Sequence, residues 1–159
     1  MPSVAPEALA ELEALYAEVD GLVDGFGCDA STDCCRFGVT GREPYPTAVE
    51  LALLARAVRA RGGLPKRRAL PTVDERRCDL LSDEGRCLVY EARPFGCRTF
   101  FCERARGPAG EGVRALPRRE IQDLARRIAD LSSRASPADP GPRPLSRATS
   151  SLSGSSRRP

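Results

Sequence analysis

Seven cysteines and no histidine occur in this chain. The thiols fall in two groups: Cys28, Cys34 and Cys35 in the string CDASTDCC, and Cys78, Cys87, Cys97 and Cys102 in CDLLSDEGRCLVYEARPFGCRTFFC. Both strings read as loops, rich in Gly, Asp and Ser, where a backbone can curl around an ion. Thiols packed singly into an ordinary core do not cluster in this way. A disulfide framework would need an oxidising compartment. The opening residues, MPSVAPEALAELEALYAEVD, carry no basic segment and no unbroken apolar run, so neither signal peptide nor membrane span is expected. A cytoplasmic chain with reduced thiols and no membrane partner follows as the expectation. Clustered thiolates without imidazole point to zinc or to iron, an iron–sulfur cluster included, rather than to copper(II), nickel or magnesium.

The vicinal pair Cys34-Cys35 limits how such a site can be built. Neighbouring side chains point apart, so the two serve one ion only with strain; they could instead serve two ions, bridge two metals, or leave one thiol for packing or redox work. Seven thiols exceed one tetrahedral site and fall one short of two closed ones, which leaves room for an open position. Asp29, Asp33, Asp79 and Glu103 are the nearby oxygen donors. Arg36, Arg86, Arg93 and Arg98 lie close to cysteines in sequence and could offset thiolate charge, although exposed, solvated arginines are the plain alternative.

Periodicity predicts the scaffold. Leu12, Leu15, Tyr16, Val19, Leu22 and Val23 recur at helical spacing over 6–24, with Pro6 in the first turn. Thr47 and Glu50 make a capping-box pattern before a second helix, whose buried face is Val49, Leu53, Leu54, Ala57 and Val58 and whose stop is Gly62-Gly63. A third helix is expected from Pro117 to Leu131 with Ile121, Leu124, Ile128 and Leu131 inward. Ser82-Asp83-Glu84-Gly85 has turn chemistry between Cys78–Leu81 and Arg86–Tyr90, and Pro94 opens a helical turn that presents Cys97. The fold class expected is mainly α: a small single domain of about three helices with irregular cysteine-bearing loops and room for one short β-hairpin.

Residues 132–159 are Ser, Pro, Gly and Arg with little to bury, and read as a disordered tail behind a metal-binding domain over 1–131. That tail holds five Arg and one Asp, so a total charge of +3 leaves the domain slightly negative. A near-neutral domain, acidic at its start and basic over 56–77, is not the footprint of a dedicated nucleic-acid binder.

The cysteine strings resemble the YkgJ-type cysteine-cluster family, a zinc- or iron-chelating CxxCxxCC domain. The second family motif is matched at Cys78, Leu81, Cys87, Tyr90, Arg93, Pro94, Cys97, Arg98 and Phe100, and the resemblance spans 28–102. In the first motif Ser31 stands where the family has its second cysteine, a far weaker ligand than thiolate. The resemblance implies metal ligation by Cys28, Cys34, Cys35, Cys78, Cys87, Cys97 and Cys102. Some relatives are described as flagellin lysine methylases, but this chain has no glycine-rich S-adenosylmethionine loop and no CxxxCxxC string.

Two functional readings lead, and a third makes the domain an interaction module whose Arg-rich tail recruits a partner. The first is a cytosolic zinc- or iron-chelating protein, acting as carrier or structural metal domain. The alternative is an iron–sulfur or zinc enzyme of redox or transfer chemistry, for which the chain offers no histidine and no paired carboxylates as general base. A metal ion is the partner both imply; the sequence identifies no protein partner.

Overall fold

The computed structural model describes residues 4–26, 32–64, 76–100 and 115–153. Among these, the elements are mainly helical with no strand: α1 (Pro6–Leu22), α2 (Phe37–Thr40), α3 (Ala48–Ala60), α4 (Phe95–Arg98), α5 (Arg118–Ala135) and α6 (Leu145–Ser153), with 3-10 turns at Asp33–Cys35 and Tyr90–Ala92. The mainly α fold class expected from periodicity is what forms.

Helix α1 starts on Pro6, whose fixed φ and missing N–H suit a first turn. Leu9, Leu12, Leu15, Tyr16 and Val19 form its buried face, while Leu22 stays partly exposed. That face meets Leu124, Ile128 and Leu131 of α5 and Val49 and Leu53 of α3 in one apolar cluster. Glu18 takes a two-pronged bond from Arg127 at 2.6 and 2.8 Å, and Glu11 pairs with Arg134 at 2.8 Å. These exposed pairs fix which turns of α1 and α5 face each other; the buried leucines supply most of the stability.

Helix α3 is buried on two sides. Val49 and Leu53 face α1 and α5, whereas Leu51, Leu54 and Val58 belong to a second cluster with Phe37, Leu80, Leu81, Val89 and the cysteine loops. The central helix therefore joins an ordinary helical core to the thiol-bearing half of the molecule. Its start is the predicted capping box: Glu50 Oε2 accepts the Thr47 N–H at 2.7 Å and the Thr47 hydroxyl at 2.9 Å.

One expectation needs correction, and the short hairpin, for which the sequence leaves room, takes a reduced form. Residues 132–153 do not form a tail, because α5 runs on to Ala135 and α6 packs into the second cluster, with Leu145, Ala148 and Thr149 buried. Main-chain bonds hold this stretch across the start of α3: Ala48 N–H to Pro140 C=O at 2.8 Å, Leu145 N–H to Pro44 C=O at 3.0 Å, and Arg143 N–H to Pro46 C=O at 3.2 Å. Composition missed it because few apolar groups suffice when backbone pairing fixes the path. Residues 154–159 lie outside the described residues. The hairpin shrinks to a reversal: Ser82 N–H bonds Arg86 C=O at 2.8 Å, Gly85 takes a φ of 75°, and Leu81 and Cys87 make an isolated antiparallel bridge.

Candidate functional site

Backbone pairing brings the two cysteine strings together. Arg36 and Arg77 form an antiparallel bridge, Cys78 N–H donates to Cys35 C=O at 2.8 Å, and Phe37 N–H donates to Arg76 C=O at 2.7 Å. The Leu81–Cys87 bridge then folds Cys87 back beside Cys78, and Leu88 N–H donates to Leu80 C=O at 2.8 Å. Cys97 sits in α4, the single turn that follows Pro94. Cys35, Cys78, Cys87 and Cys97 share the second apolar cluster with Leu51, Leu54 and Val58. Thr32, which precedes the Asp33–Cys35 turn, has a φ of 64°. That conformation is costly for a β-branched residue and is kept where surrounding structure over-determines it.

Five of the predicted ligands are thus described, and none of the five is in a disulfide. Cys34 is exposed, Cys78 buried and the others half-buried. Cys34 and Cys35 stand 3.9 Å apart, sulfur to sulfur. The bond from Cys35 lowers Cys34 to about 7, assisted by a backbone N–H and the Arg93 charge. The same bond pushes Cys35 far up, with burial and the charges of Cys34, Cys78 and Cys87 adding to it. Burial raises Cys97 well above the usual thiol range, followed by the charges of Cys78, Cys87 and Cys34. Burial likewise raises Cys87. Neighbouring thiolate charge therefore opposes ionisation of Cys35, Cys87 and Cys97, and a cation would reverse that opposition. Among the described residues no group of three or more Cys, Asp or Glu side chains is closed around a metal position. The donor chemistry, thiolate with no imidazole, fits zinc or iron. Cys28, Ser31, Asp29, Cys102 and Glu103 lie outside the described residues.

The arginines divide. Arg93 is the one whose charge favours thiolate at both Cys34 and Cys87, and its guanidinium stacks on the Tyr90 ring at 3.8 Å. Arg98 is buried and turned elsewhere: it bonds Asp20, the Glu91 C=O and the Arg93 C=O, and lies over the Tyr16 ring at 4.1 Å. It clamps the Cys97 turn onto α1 and is not a counter-charge to the thiols. Arg86 is exposed. Asp79 accepts the Thr149 hydroxyl at 2.7 Å and is committed to α6.

Sequence reading missed a wider role for Glu50. Its Oε1 accepts the Phe95 N–H at 2.7 Å and the Tyr16 hydroxyl at 3.0 Å, so one buried carboxylate joins α1, α3 and the Cys97 turn. Burial and then the Glu50 charge raise Tyr16 well above its ordinary range, keeping it a donor. The capping-box spacing gave a local signal for Oε2, and nothing in the sequence pointed to the partners of Oε1.

A scan against protein-family models returns no match, and searches of curated proteins and of solved structures return none either. Among the described residues no helix is long and apolar enough to cross a membrane.

Proposed function

We infer that the chain is a cytoplasmic zinc- or iron-binding protein whose ligands are cysteine thiolates. The observation that carries this reading is convergence. Five thiols from three stretches of chain come within range of one another's charge, and four of them, Cys35, Cys78, Cys87 and Cys97, pack in the apolar cluster that includes Leu51, Leu54 and Val58 of α3. Cys34, Cys35, Cys78, Cys87 and Cys97 are the described residues that would hold the metal, with Cys28 and Cys102 joining them from the rest of the YkgJ-like pattern. Bound there, the metal supplies the positive charge that several adjacent thiolates require. The chain's own part is to hold the loops in place: the Cys78–Cys35 backbone bond, the Arg98 clamp and the Glu50 bond to Phe95 do so without using a thiol.

Anaerobic purification, elemental analysis and a visible absorption spectrum test the reading. Iron with inorganic sulfide and a charge-transfer band identifies a cluster; colourless, stoichiometric zinc identifies a chelating or structural site. Folded, fully reduced protein without either metal overturns the reading.

A further inference from the structure

A cleft of about 480 Å³ opens beside the thiols, with Cys34 and Cys97 among its walls. That volume suits a small molecule. The described lining includes aromatic side chains, Tyr45 and Phe100, and two cationic ones, Arg42 and Arg76. The Arg42 guanidinium lies 5.4 Å from the centre of the Phe100 ring. Stacking of that kind orients a guanidinium while leaving its N–H groups available. Arg76 is anchored through its backbone, since its carbonyl accepts the Phe37 and Gly38 N–H groups at 2.7 and 3.3 Å. Neither Arg42 nor Arg76 has an acidic partner among the described residues. Glu43, a carboxylate among the described lining residues, accepts the Ser146 N–H of α6 at 2.7 Å, so one of its oxygens is engaged by the start of that helix.

We propose that this cleft binds a small organic anion, a carboxylate or phosphate monoester on a planar apolar body. The oxyanion meets Arg42 and Arg76, and the planar body meets Tyr45 and Phe100. Guanidiniums recognise such oxyanions through charge-assisted, two-pronged bonds. Bound in this way, the ligand lies next to exposed Cys34. The proposal goes beyond metal binding and stands whether or not the thiols hold an ion.

The test is a titration of the isotope-labelled full chain, as purified, with phenyl phosphate, benzoate and neutral benzyl alcohol, following the Gly41 and Gly96 amides at the cleft. Both anions should give saturable shifts, with benzyl alcohol at least about 10-fold weaker. Arg42→Gln and Arg76→Gln should each weaken anion binding about 10-fold, whereas Arg119→Gln on α5 should leave it unchanged. Both cleft arginines are exposed, so the variants should keep the parent circular dichroism and metal content. Equal binding of the neutral probe, shifts that never saturate, or undiminished binding in the double variant overturns the proposal. The neutral-probe comparison holds on the unaltered chain even if a variant misfolds. Chain purified anaerobically as folded, fully reduced and metal-free overturns the thiolate–metal reading, and if it binds phenyl phosphate this proposal still stands.

Discussion

At the scale of single residues, Glu50 shows how a surface-type side chain becomes central when every oxygen is occupied. Its two oxygens accept four bonds, from Thr47, Tyr16 and Phe95, at 3% exposure. Glu50→Ala strands these donors in the interior and should cost about 3–5 kcal/mol in urea unfolding. Tyr16→Phe removes one bond and should cost only about 1 kcal/mol; comparable losses in the two variants would refute the shared-hub account. Cys34 and Cys97 should also separate chemically. In the reduced, metal-free chain, Cys34 lowered to about 7 is increasingly thiolate above neutral pH, whereas burial keeps Cys97 protonated. Iodoacetamide followed by peptide mapping should label Cys34 first and with rising rate from pH 6 to 8, roughly tracking its thiolate fraction. Ser31→Cys restores the thiol of the YkgJ-like pattern and should raise metal affinity or stoichiometry; unchanged values would mean that position never faces the metal.

At the scale of elements, α6 and the segment leading to it are part of the fold. Leu145 is nearly fully buried, and Leu145→Ala should cost about 2–4 kcal/mol by denaturant melting. Gly141 crosses the start of α3 with a φ of 79°, and a Cβ there would lie 3.0 Å from Thr47 Cα and from Ala48 N. Gly141→Ala therefore meets both backbone strain and backbone contact, and should lose about 1–3 kcal/mol. Chain ending at residue 135 should unfold at lower urea than chain ending at residue 153. Identical midpoints would show that α6 contributes nothing.

At the scale of the whole molecule, the two apolar clusters would respond differently to the loss of a bound metal. Among the described residues the α1–α3–α5 cluster contains no cysteine, while the second cluster includes Cys35, Cys78, Cys87 and Cys97. Removing a bound metal by chelation under reducing conditions should therefore raise amide exchange over 32–41 and 76–100 while α1 and α5 stay protected. Uniform loss of protection would show instead that the molecule unfolds as one unit.

Sequence by itself determined the helices with long, regular patterns and sharp ends. Pro6, the Thr47–Glu50 box and the Leu124–Ile128–Leu131 stripe mark their segments through local sterics and periodic burial, which depend on near neighbours alone. The identities of the thiols, and the absence of imidazole, likewise set the donor chemistry before any fold is known. Tertiary structure decided the rest, because it depends on groups distant in the chain. Arg36 meets Arg77, Glu50 meets Phe95, Arg98 turns to Asp20 instead of the cysteines, and Pro140 closes on Ala48. The last contact shows why composition misjudged 132–153: backbone hydrogen bonds order a segment regardless of how few of its side chains are apolar.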